Sequence, residues 1–396
     1  MSLARRPRPK RTWIQRFFLL VCLAVLSVSA IAAILLAYTS DTIGQIPRTA
    51  FGSTLSSEPT EGEALNFLLI GSDSIANLPQ DHPLRWTSGR SSRQLLTDTL
   101  IVLRLDSRSG NGEVQASALS IPRDLYVPIS GYNDNWQKIN SLVYFTNKPT
   151  LVQTVRDYLE IPIHHVVEVD FNGFMRLFET LGGLDVYLEY PLRDVKAQLD
   201  IPVSGCVSLT PEQALGLVRT RKLQAYVENF DGWYGTAPNA WVTVDGTGDF
   251  GRQSRQQDFL ILALQQAFDS GFRNPIKISQ VVNEVLGGSF VTLDDRLTPE
   301  KAINLAQQFK DFRPNQLNKY SLPAVFDWDG PISILRLVES EAQIPLDVFR
   351  GIENPQSEID ATESSESSAG DVTDGTRTNA ERRAEILERA GDIKGC

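Results

Sequence analysis

Charged and polar residues stand at the ends of apolar stretches at four places in this sequence. These places are Gly71-Ser72-Asp73, Thr97-Asp98-Thr99, Ser120-Ile121-Pro122-Arg123-Asp124, and Arg219-Thr220-Arg221 together with Arg252, Arg255 and Gln256. Ligands of open α/β sheets bind at the carboxyl ends of strands. The planar guanidinium fork of arginine matches a phosphate group, and aspartate oxygens suit a hard cation such as Mg²⁺. The pattern therefore predicts a polyanion site with Mg²⁺ beside it.

Taken singly, each of these residues also has a purely structural explanation. Asp73 and Asp98 are of a type that favours turns and caps, and Arg123-Asp124 fits a surface ion pair of little consequence. Arg219 and Arg221 suit the C-terminal end of a helix dipole. However, positions two apart do not share a helix face. These arginines therefore point together only if the helix has ended between them.

Histidine and cysteine give no catalytic pattern. The histidines are His82, His164 and His165. They are too few and too scattered for the usual zinc site, and they indicate no Ser-His-Asp triad. Cys22 lies in an apolar stretch, while Cys206 and Cys396 are too far apart in sequence for metal-ligand spacing and can either pair or stay free.

The charge of the chain is unevenly distributed. The 396 residues carry a formal net charge of −10, of which six N-terminal basic residues contribute +6, so the remainder carries −16. A nucleic-acid-binding surface is basic, so this balance argues against nucleic acid as a partner. Arginines clustered on so acidic a domain indicate a local need for positive charge.

Residues 17–38 form an uninterrupted apolar stretch without a charged residue. A helix of this length spans roughly 33 Å, enough to cross a bilayer. The basic residues before it are Arg5, Arg6, Arg8, Lys10, Arg11 and Arg16. They predict a cytoplasmic N-terminus and an extracytoplasmic remainder, anchored in the cell membrane by a single pass. The alternative is a cleaved signal peptide, whose apolar region is usually shorter, about 7–15 residues.

Strand-like and helix-like patterns alternate after the anchor. Strands are expected at 65–70, 99–105, 114–121, 166–169 and 186–188, and helices at 150–159 and 171–181. Thr210-Pro211-Glu212-Gln213 is a helix start with a cap and a capping box, and Thr298-Pro299-Glu300 repeats it before a helix to about residue 309. Such alternation predicts one α/β domain with helices on both faces of its sheet.

Composition sets the boundaries of the domain. The expected parts are a cytoplasmic basic segment 1–16, the transmembrane helix 17–38, a linker 39–63, the extracytoplasmic domain 64–352 and an acidic, disordered tail 353–396. The aromatic segment 223–248 has little periodicity and is expected to be either a surface loop or a lid over an acceptor.

Seven strings occur in an order that resembles the LytR-CpsA-Psr family. They are LNFLLIGSD, TDTLIVLRLD, LSIPRDLYV, KIN, VDFNGFMRLFETLGGLDV, ALGLVRTRK and DFGRQSRQQ, over about residues 64–325. The resemblance implies a three-layer α/β/α-type domain with a mixed central sheet, preceded by one transmembrane helix. It also implies an extracytoplasmic, Mg²⁺-dependent phosphotransferase that moves a glycopolymer from a polyprenyl-pyrophosphate carrier to peptidoglycan. In that family the polymer is joined through a phosphodiester and the polyprenyl phosphate leaves. An apolar tunnel encloses the lipid, but the sequence does not assign its lining.

The resemblance also implies roles for single residues. Asp73 and Asp98 match the carboxylates that hold Mg²⁺ and activate the nucleophile. Arg123, Arg219 and Arg221 match pyrophosphate ligands. Further head-group contacts are implied for Lys138, Arg252, Arg255 and Gln256. The sequence departs from the family where Leu96 stands in place of an arginine, and Arg93 is the expected substitute.

The sequence is also compatible with other functions. The same site could serve a polyprenyl-pyrophosphate phosphatase with water as acceptor, a non-catalytic binding or regulatory protein of the envelope, or a structural anchor. The expected partners are a polyprenyl-linked glycan, peptidoglycan and the membrane.

Overall fold

A computed structural model describes residues 47–60, 62–74, 95–106, 114–132, 135–180, 182–228, 240–244, 249–269, 291–298, 301, 304–305, 308–309, 312–352 and 393–396. The predicted transmembrane segment 17–38, Arg93 and most of the predicted tail lie outside these residues. Among the described residues, no helix has the length and apolar character needed to cross a bilayer.

Short strands and a smaller number of helices make up the described chain. The strands are β1 (Arg48–Thr49), β2 (Leu65–Ser72), β3 (Thr97–Asp106), β4 (Gln115–Ser120), β5 (Tyr126–Pro128), β6 (Trp136–Lys138), β7 (His165–Val169), β8 (Asp185–Leu188), β9 (Leu192–Asp194), β10 (Leu199–Ile201), β11 (Gly205–Ser208), β12 (Gln224–Val227), β13 (Ala240–Thr243), β14 (Val291–Asp294), β15 (Leu317–Ser321), β16 (Ala324–Asp329), β17 (Ile332–Leu337) and β18 (Lys394–Gly395). The α-helices are α1 (Leu142–Phe145), α2 (Lys148–Leu159), α3 (Phe171–Thr180), α4 (Pro211–Arg219), α5 (Asp249–Asp269) and α6 (Glu339–Arg350).

The main sheet has the strand order β1-β14-β7-β2-β3-β4-β15. β2 is parallel to β7 but antiparallel to β3, and β4 is antiparallel to β3 but parallel to β15. The sheet is therefore mixed, as predicted. The predicted strands of this sheet are present with shifts of one or two residues at their ends.

Apolar side chains emerge from both faces of the main sheet because neighbouring strand residues point to opposite sides. On one face, Leu68 and Leu100 belong to a buried cluster with Leu151 and Val155 of α2 and Phe349 of α6. The other face presents the cluster of Phe67, Val291, Leu293 and Leu297, and the cluster of Ile101, Ala116, Ala118, Phe312 and Leu317. Leu177 of α3 packs against the first of these clusters, and Leu260 and Ile261 of α5 pack against the second.

A second buried cluster lies around two smaller sheets, with strand orders β10-β9-β12-β13 and β11-β8-β18. Leu215 of α4, Phe259 of α5 and Phe178 of α3 belong to this cluster. Helices α3 and α5 therefore contribute both to this cluster and to the covering of the main sheet.

Several short strands were not predicted. β5 pairs with β6, β9 with β10 and β16 with β17, all antiparallel. The aromatic segment 223–248 was expected to be a loop, but its two ends form the antiparallel pair β12 and β13, in which the rings of Tyr226 and Trp241 lie 5.4 Å apart. The three- and four-residue strands β5, β6, β9, β10, β12 and β13 give too few alternating positions to stand out in a sequence. Residues 229–239 lie outside the described part.

The predicted linker and tail also differ from the structure. β1, inside the predicted linker 39–63, pairs with β14, and Phe51 and Leu55 are buried in the main core. At the other end of the chain, β18 pairs with β8, Ile393 is buried, and Cys396 is disulfide-bonded to Cys206. The domain therefore begins before residue 64, and the last four residues belong to it.

The disulfide closes a large loop, because its cysteines are 190 residues apart in sequence. We expect Cys396→Ser to lower the free energy of unfolding by about 2–5 kcal/mol, since the bond restricts the unfolded chain. Guanidinium unfolding with and without reductant measures this. Reduction should bring the wild type to the value of the variant and leave the variant unchanged. Equal stabilities of oxidised wild type and variant would contradict the expectation.

Candidate active site

A cavity of about 610 Å³ opens between the main sheet and the second cluster. Its apolar lining consists of Leu69, Ile70, Ile101, Val167, Val169, Phe171, Phe174, Leu177, Leu215, Val218, Phe259, Leu260 and Ala263. Its ionisable lining consists of Asp98, Arg123, Asp170, Asp194, Lys196, Arg219, Arg221, Lys222 and Arg252. The cavity thus has both an apolar lining and a charged lining. In the charged lining, six basic side chains accompany three carboxylates.

Helix α4 delivers two of the arginines. It starts with the predicted capping box, in which Thr210 and Gln213 satisfy each other's backbone N–H groups. It ends at Arg219, and Thr220 is extended, with φ −61° and ψ 139°. Arg219 and Arg221 therefore both line the cavity although they are two positions apart, as predicted from their spacing. The guanidinium carbon of Arg219 also lies 4.6 Å from the centre of the Phe171 ring.

Asp194 holds the turn that follows α4. Its Oδ2 accepts hydrogen bonds from the Thr220 hydroxyl and from the backbone N–H groups of Arg221 and Lys222. Its Oδ1 accepts from the N–H groups of Lys196 and Ala197. Burial by itself would raise the pKa of Asp194, but the hydrogen bonds from Thr220, Lys222, Ala197 and Lys196 outweigh it and lower the pKa below its usual value. The buried carboxylate is therefore charged at neutral pH.

Asp98 and Arg123 form the ion pair at the sheet side of the cavity. The Nη1 atom of Arg123 lies 2.6 Å from Oδ1 of Asp98, whose side chain is 26% exposed. Strand β3, which carries Asp98, pairs closely with β2 at Gly71. A Cβ atom at Gly71 would lie only 2.8 Å from the Cβ of Thr99, so the absence of a side chain there permits the close approach. The Asp98 carboxylate is thus oriented by an arginine and remains accessible from the cavity.

Asp124 lies within ion-pair distance of three cations, two of which line the cavity. Its carboxylate lies 3.2 Å from Lys138 Nζ, 3.7 Å from Arg123 Nε and 4.0 Å from Arg221 Nη2. Lys138 does not line the cavity. It is connected to the lining residues Arg123 and Arg221 through its ion pair with Asp124. The arrangement brings residues from distant parts of the chain to one place.

Helix α5 presents one stripe of residues to the cavity. The stripe consists of Arg252, Gln256, Phe259, Leu260 and Ala263, at the spacing of one helix face. Arg252 donates to the backbone oxygen of Asp98 at 3.0 Å, and Gln256 donates to the Thr99 hydroxyl at 2.9 Å. Arg255 points elsewhere: it is 2% exposed and donates to the backbone oxygen of Thr220 at 2.8 Å. The first turns of α5 therefore contact both the Asp98–Arg123 pair, through Arg252, and the turn at Thr220–Lys222, through Arg255.

Most predicted site residues converge in the structure. Six of them line the cavity: Asp98, Arg123, Arg219, Arg221, Arg252 and Gln256. Asp73 lies beside them without lining it, since its Oδ1 accepts from the N–H of Leu96, two residues before Asp98. Lys138 and Arg255 stand behind the lining, and Arg93 is outside the described residues.

Sequence reasoning missed Asp170, Asp194, Lys196 and Lys222, which also line the cavity. Lys222 directly follows the arginine pair, so its position was a usable signal. Asp194 and Lys196 gave none, because the short strands β9 and β10 that flank them were not recognised.

The carboxylates fit a magnesium ion of the kind that is held mainly by substrate. Within the described residues there is no cluster of three or more acidic, histidine or cysteine side chains that could hold a metal by itself. Mg²⁺ usually binds one or two protein carboxylates and completes its shell with phosphate oxygens and water. Asp98, facing the cavity, with Asp73 beside it, is consistent with such a site.

Replacing Asp194 tests its role as a positioning residue. We expect Asp194→Asn to weaken inorganic pyrophosphate binding at least about tenfold. The amide NH₂ group cannot accept the hydrogen bonds that Asp194 takes from the turn containing Thr220, Arg221 and Lys222. The unfolding midpoint should also fall. Isothermal titration and thermal unfolding measure the two effects. Asp200→Asn, an exposed change on the neighbouring strand β10, should behave as wild type. Unaltered pyrophosphate affinity in Asp194→Asn would refute the role.

Known proteins resemble this chain in sequence and in fold. The LytR_cpsA_psr family profile matches residues 38–228. A probable cell wall biosynthesis protein, LcpB of Corynebacterium glutamicum, is 29% identical over 223 residues, covering 56% of this chain and 47% of that protein. A polyisoprenyl-teichoic acid–peptidoglycan teichoic acid transferase, TagV of Bacillus subtilis, is 28% identical over 258 residues, covering 64% of this chain and 56% of TagV. The chain thus spans about half the length of these two relatives.

Solved structures share the fold. The crystal structure of Bacillus subtilis TagV superposes with a TM-score of 0.55 at 21% identity, covering 74% of this chain and all of that one. A LytR-Csp2A-Psr enzyme from Actinomyces oris gives a TM-score of 0.54 at 22% identity, covering 77% and 95%. The profile match over residues 38–228 and the related sequences make this part of the chain similar to the LytR-CpsA-Psr family, and the solved structures show that the chain shares their fold.

Proposed function

We propose that this protein transfers a glycopolymer from a polyprenyl-pyrophosphate carrier to a hydroxyl group of peptidoglycan. One observation carries the proposal: a single cavity has both an extensive apolar lining and a group of arginines beside the Asp98 carboxylate. Relatives named as teichoic acid transferases support it. A substrate that is half hydrocarbon and half polyanion matches both parts of such a cavity.

The apolar part suits the polyprenyl chain. Phe171, Phe174 and Phe259 line it, and the rings of Phe174 and Phe259 lie 5.3 Å apart. Burying hydrocarbon there is favourable by about 25 cal/mol per Å². The lipid therefore supplies binding energy remote from the reacting phosphate, and this energy orients the head group at the cavity opening.

The charged part suits the pyrophosphate. Arg123, Arg219, Arg221 and Arg252 offer planar forks to phosphate oxygens, and Lys196 and Lys222 add point charges. These cations exceed the carboxylates of the lining by three. A doubly phosphorylated group brings comparable negative charge, so the two neutralise each other.

The reaction follows from these positions. The acceptor hydroxyl loses its proton to the Asp98 carboxylate, and its oxygen forms a bond to the phosphorus that carries the glycan. The bond from that phosphorus to the bridging oxygen breaks, and polyprenyl phosphate leaves. Negative charge grows on the bridging oxygen and is stabilised by the arginines, which are already oriented by Asp194 and Asp124. Asp98 takes precedence over Asp73 as the base because it lines the cavity.

Magnesium is part of the proposal. Asp98 and Asp73 would hold the ion together with phosphate oxygens of the substrate. When bound, Mg²⁺ would neutralise charge on the pyrophosphate.

The proposed setting is the outer side of the cell membrane. An uncleaved helix at 17–38 would keep the cavity near its lipid substrate, with the N-terminus in the cytoplasm. The disulfide between Cys206 and Cys396 is consistent with an oxidising, extracytoplasmic environment. Peptidoglycan, the lipid carrier and the membrane are then the partners.

Arg219→Ala tests the charge-stabilising role. We expect transfer to fall by about 10³–10⁵-fold, the usual effect of removing an arginine directed at a phosphoryl transition state. Transfer of labelled glycopolymer from lipid pyrophosphate to peptidoglycan is the assay. Arg176→Ala on α3, whose side chain is 56% exposed, is the matched control and should be active. Turnover close to wild type in Arg219→Ala would exclude this role.

Asp98→Asn tests the base and the metal together. We expect turnover to fall by about 10²–10⁴-fold, because the amide cannot accept the proton. Removing Mg²⁺ with a chelator should abolish wild-type transfer and adding it back should restore it. The control is Asp106→Asn at the other end of the same strand. Comparing product with and without peptidoglycan separates transfer from hydrolysis by water. Full activity of Asp98→Asn, or of the chelated enzyme, would contradict the corresponding part.

A further inference from the structure

The hairpin formed by β16 and β17 exposes large apolar side chains to solvent. Phe326 is 73% exposed and Trp328 66%, and Val325 and Ile332 are each more than half exposed. Single exposed apolar residues are common, but several on one short element mark an interaction surface. We call this element, Ala324–Asp329 with Ile332–Leu337, the aromatic hairpin.

The aromatic hairpin is fixed to the body of the domain. The N–H of Leu335 donates to the backbone oxygen of Asp124 at 2.9 Å, and Leu335 pairs with Leu125 in a parallel bridge. The hydroxyl of Tyr126 donates to Asp329, and the guanidinium carbon of Arg336 lies 5.5 Å from the centre of the Tyr126 ring. A surface held in this way is ready to bind without first being ordered.

The hairpin stands close to the proposed catalytic carboxylate. Asp124, which receives its backbone hydrogen bond, also lies within ion-pair distance of Arg123, Lys138 and Arg221. Phe326 is the cross-strand partner of Leu335, which itself pairs with Leu125. Two strand spacings separate Phe326 from Leu125, roughly 10 Å. A short stretch of a polymer that lies beside Arg123 and Arg221 can therefore reach the hairpin.

The charges of the hairpin select its partner. Asp327 and Asp329 accompany the aromatic rings, and Arg336 pairs with Asp327. Carboxylates are costly at an apolar bilayer depth, and basic rather than acidic residues are attracted to anionic lipid surfaces. Sugars suit the exposed rings, because aromatic rings pack against the C–H faces of sugars.

We infer that the aromatic hairpin binds the glycan strand of the acceptor and guides it to the cavity. The inference rests on the proposed function, since it is the Asp98–Arg123 side of the cavity that the acceptor hydroxyl must approach. Phe326 and Trp328, two positions apart on β16 and therefore on one face of the hairpin, provide the packing surface.

The test uses the full-length protein in detergent and the variants Phe326→Ala and Trp328→Ala. Co-sedimentation with purified peptidoglycan sacculi measures acceptor binding without any donor. Transfer kinetics then give separate KM values for a soluble peptidoglycan fragment and for the donor lipid. We expect each variant to bind sacculi about tenfold more weakly and to raise the acceptor KM alone. Tyr187→Ala, an aromatic residue 46% exposed on β8, is the matched control and should equal wild type.

Each other outcome overturns the inference. Unchanged sacculus binding in both variants would remove the hairpin as the glycan site. Loss of binding to phosphatidylglycerol vesicles instead would assign it to the membrane, and loss of self-association to a second copy of the chain. Failure of the proposed function is distinguishable: a wild type that binds sacculi through the hairpin but transfers nothing retains this surface and loses the activity.

Discussion

The site depends most on the hydrogen bonds that the buried carboxylate of Asp194 accepts. This carboxylate gathers five donors: the hydroxyl of Thr220 and the N–H groups of Lys196, Ala197, Arg221 and Lys222. A buried charge is tolerated only when such bonds replace water, and here they also draw two chain segments together. The β9–β10 turn and the end of α4 are joined by this one group. As a result Arg219, Arg221, Lys196 and Lys222 surround one space despite their mutual repulsion.

The cavity exists because the two halves of the core meet without filling the space between them. The main sheet presents Leu69 and Val167, and the second cluster presents Leu215 and Phe259. Helix α5 belongs to both halves, since Gln257 donates to Ser120 and to the backbone of Tyr320 in the main sheet while Phe259 packs near Phe174. One helix thus fixes the width of the apolar space and, through Arg252, the polar end of it.

The polar end is built as linked pairs rather than isolated charges. Asp98 orients Arg123, Asp124 lies between Arg123, Lys138 and Arg221, and Arg252 reaches the backbone of Asp98. Preorganised charges need little rearrangement when a substrate develops negative charge, which is the condition for electrostatic catalysis. The same Asp124 connects this network to the aromatic hairpin, so the surface proposed for the acceptor and the site proposed for the donor share a common support.

The sequence by itself determined the long elements and the chemistry of the site. The apolar runs of β2 and β3, the capping box at Thr210 and the arginines on either side of Thr220 are local features, and local features fix strand burial, helix starts and the end of a helix. Only the tertiary structure decided the rest. The short strands β9, β10, β12 and β13 form one sheet by pairing with one another, so neither the turn at Asp194 nor the strand pairing at the two ends of the aromatic segment 223–248 could be recognised locally. The pairing of Cys206 with Cys396 and the docking of the last four residues required the middle of the chain to meet its end, across a sequence separation of 190 residues. Arg255 shows the same limit at one residue: the family resemblance implied a head-group contact for it, but in the α5 helix its side chain donates to the backbone oxygen of Thr220.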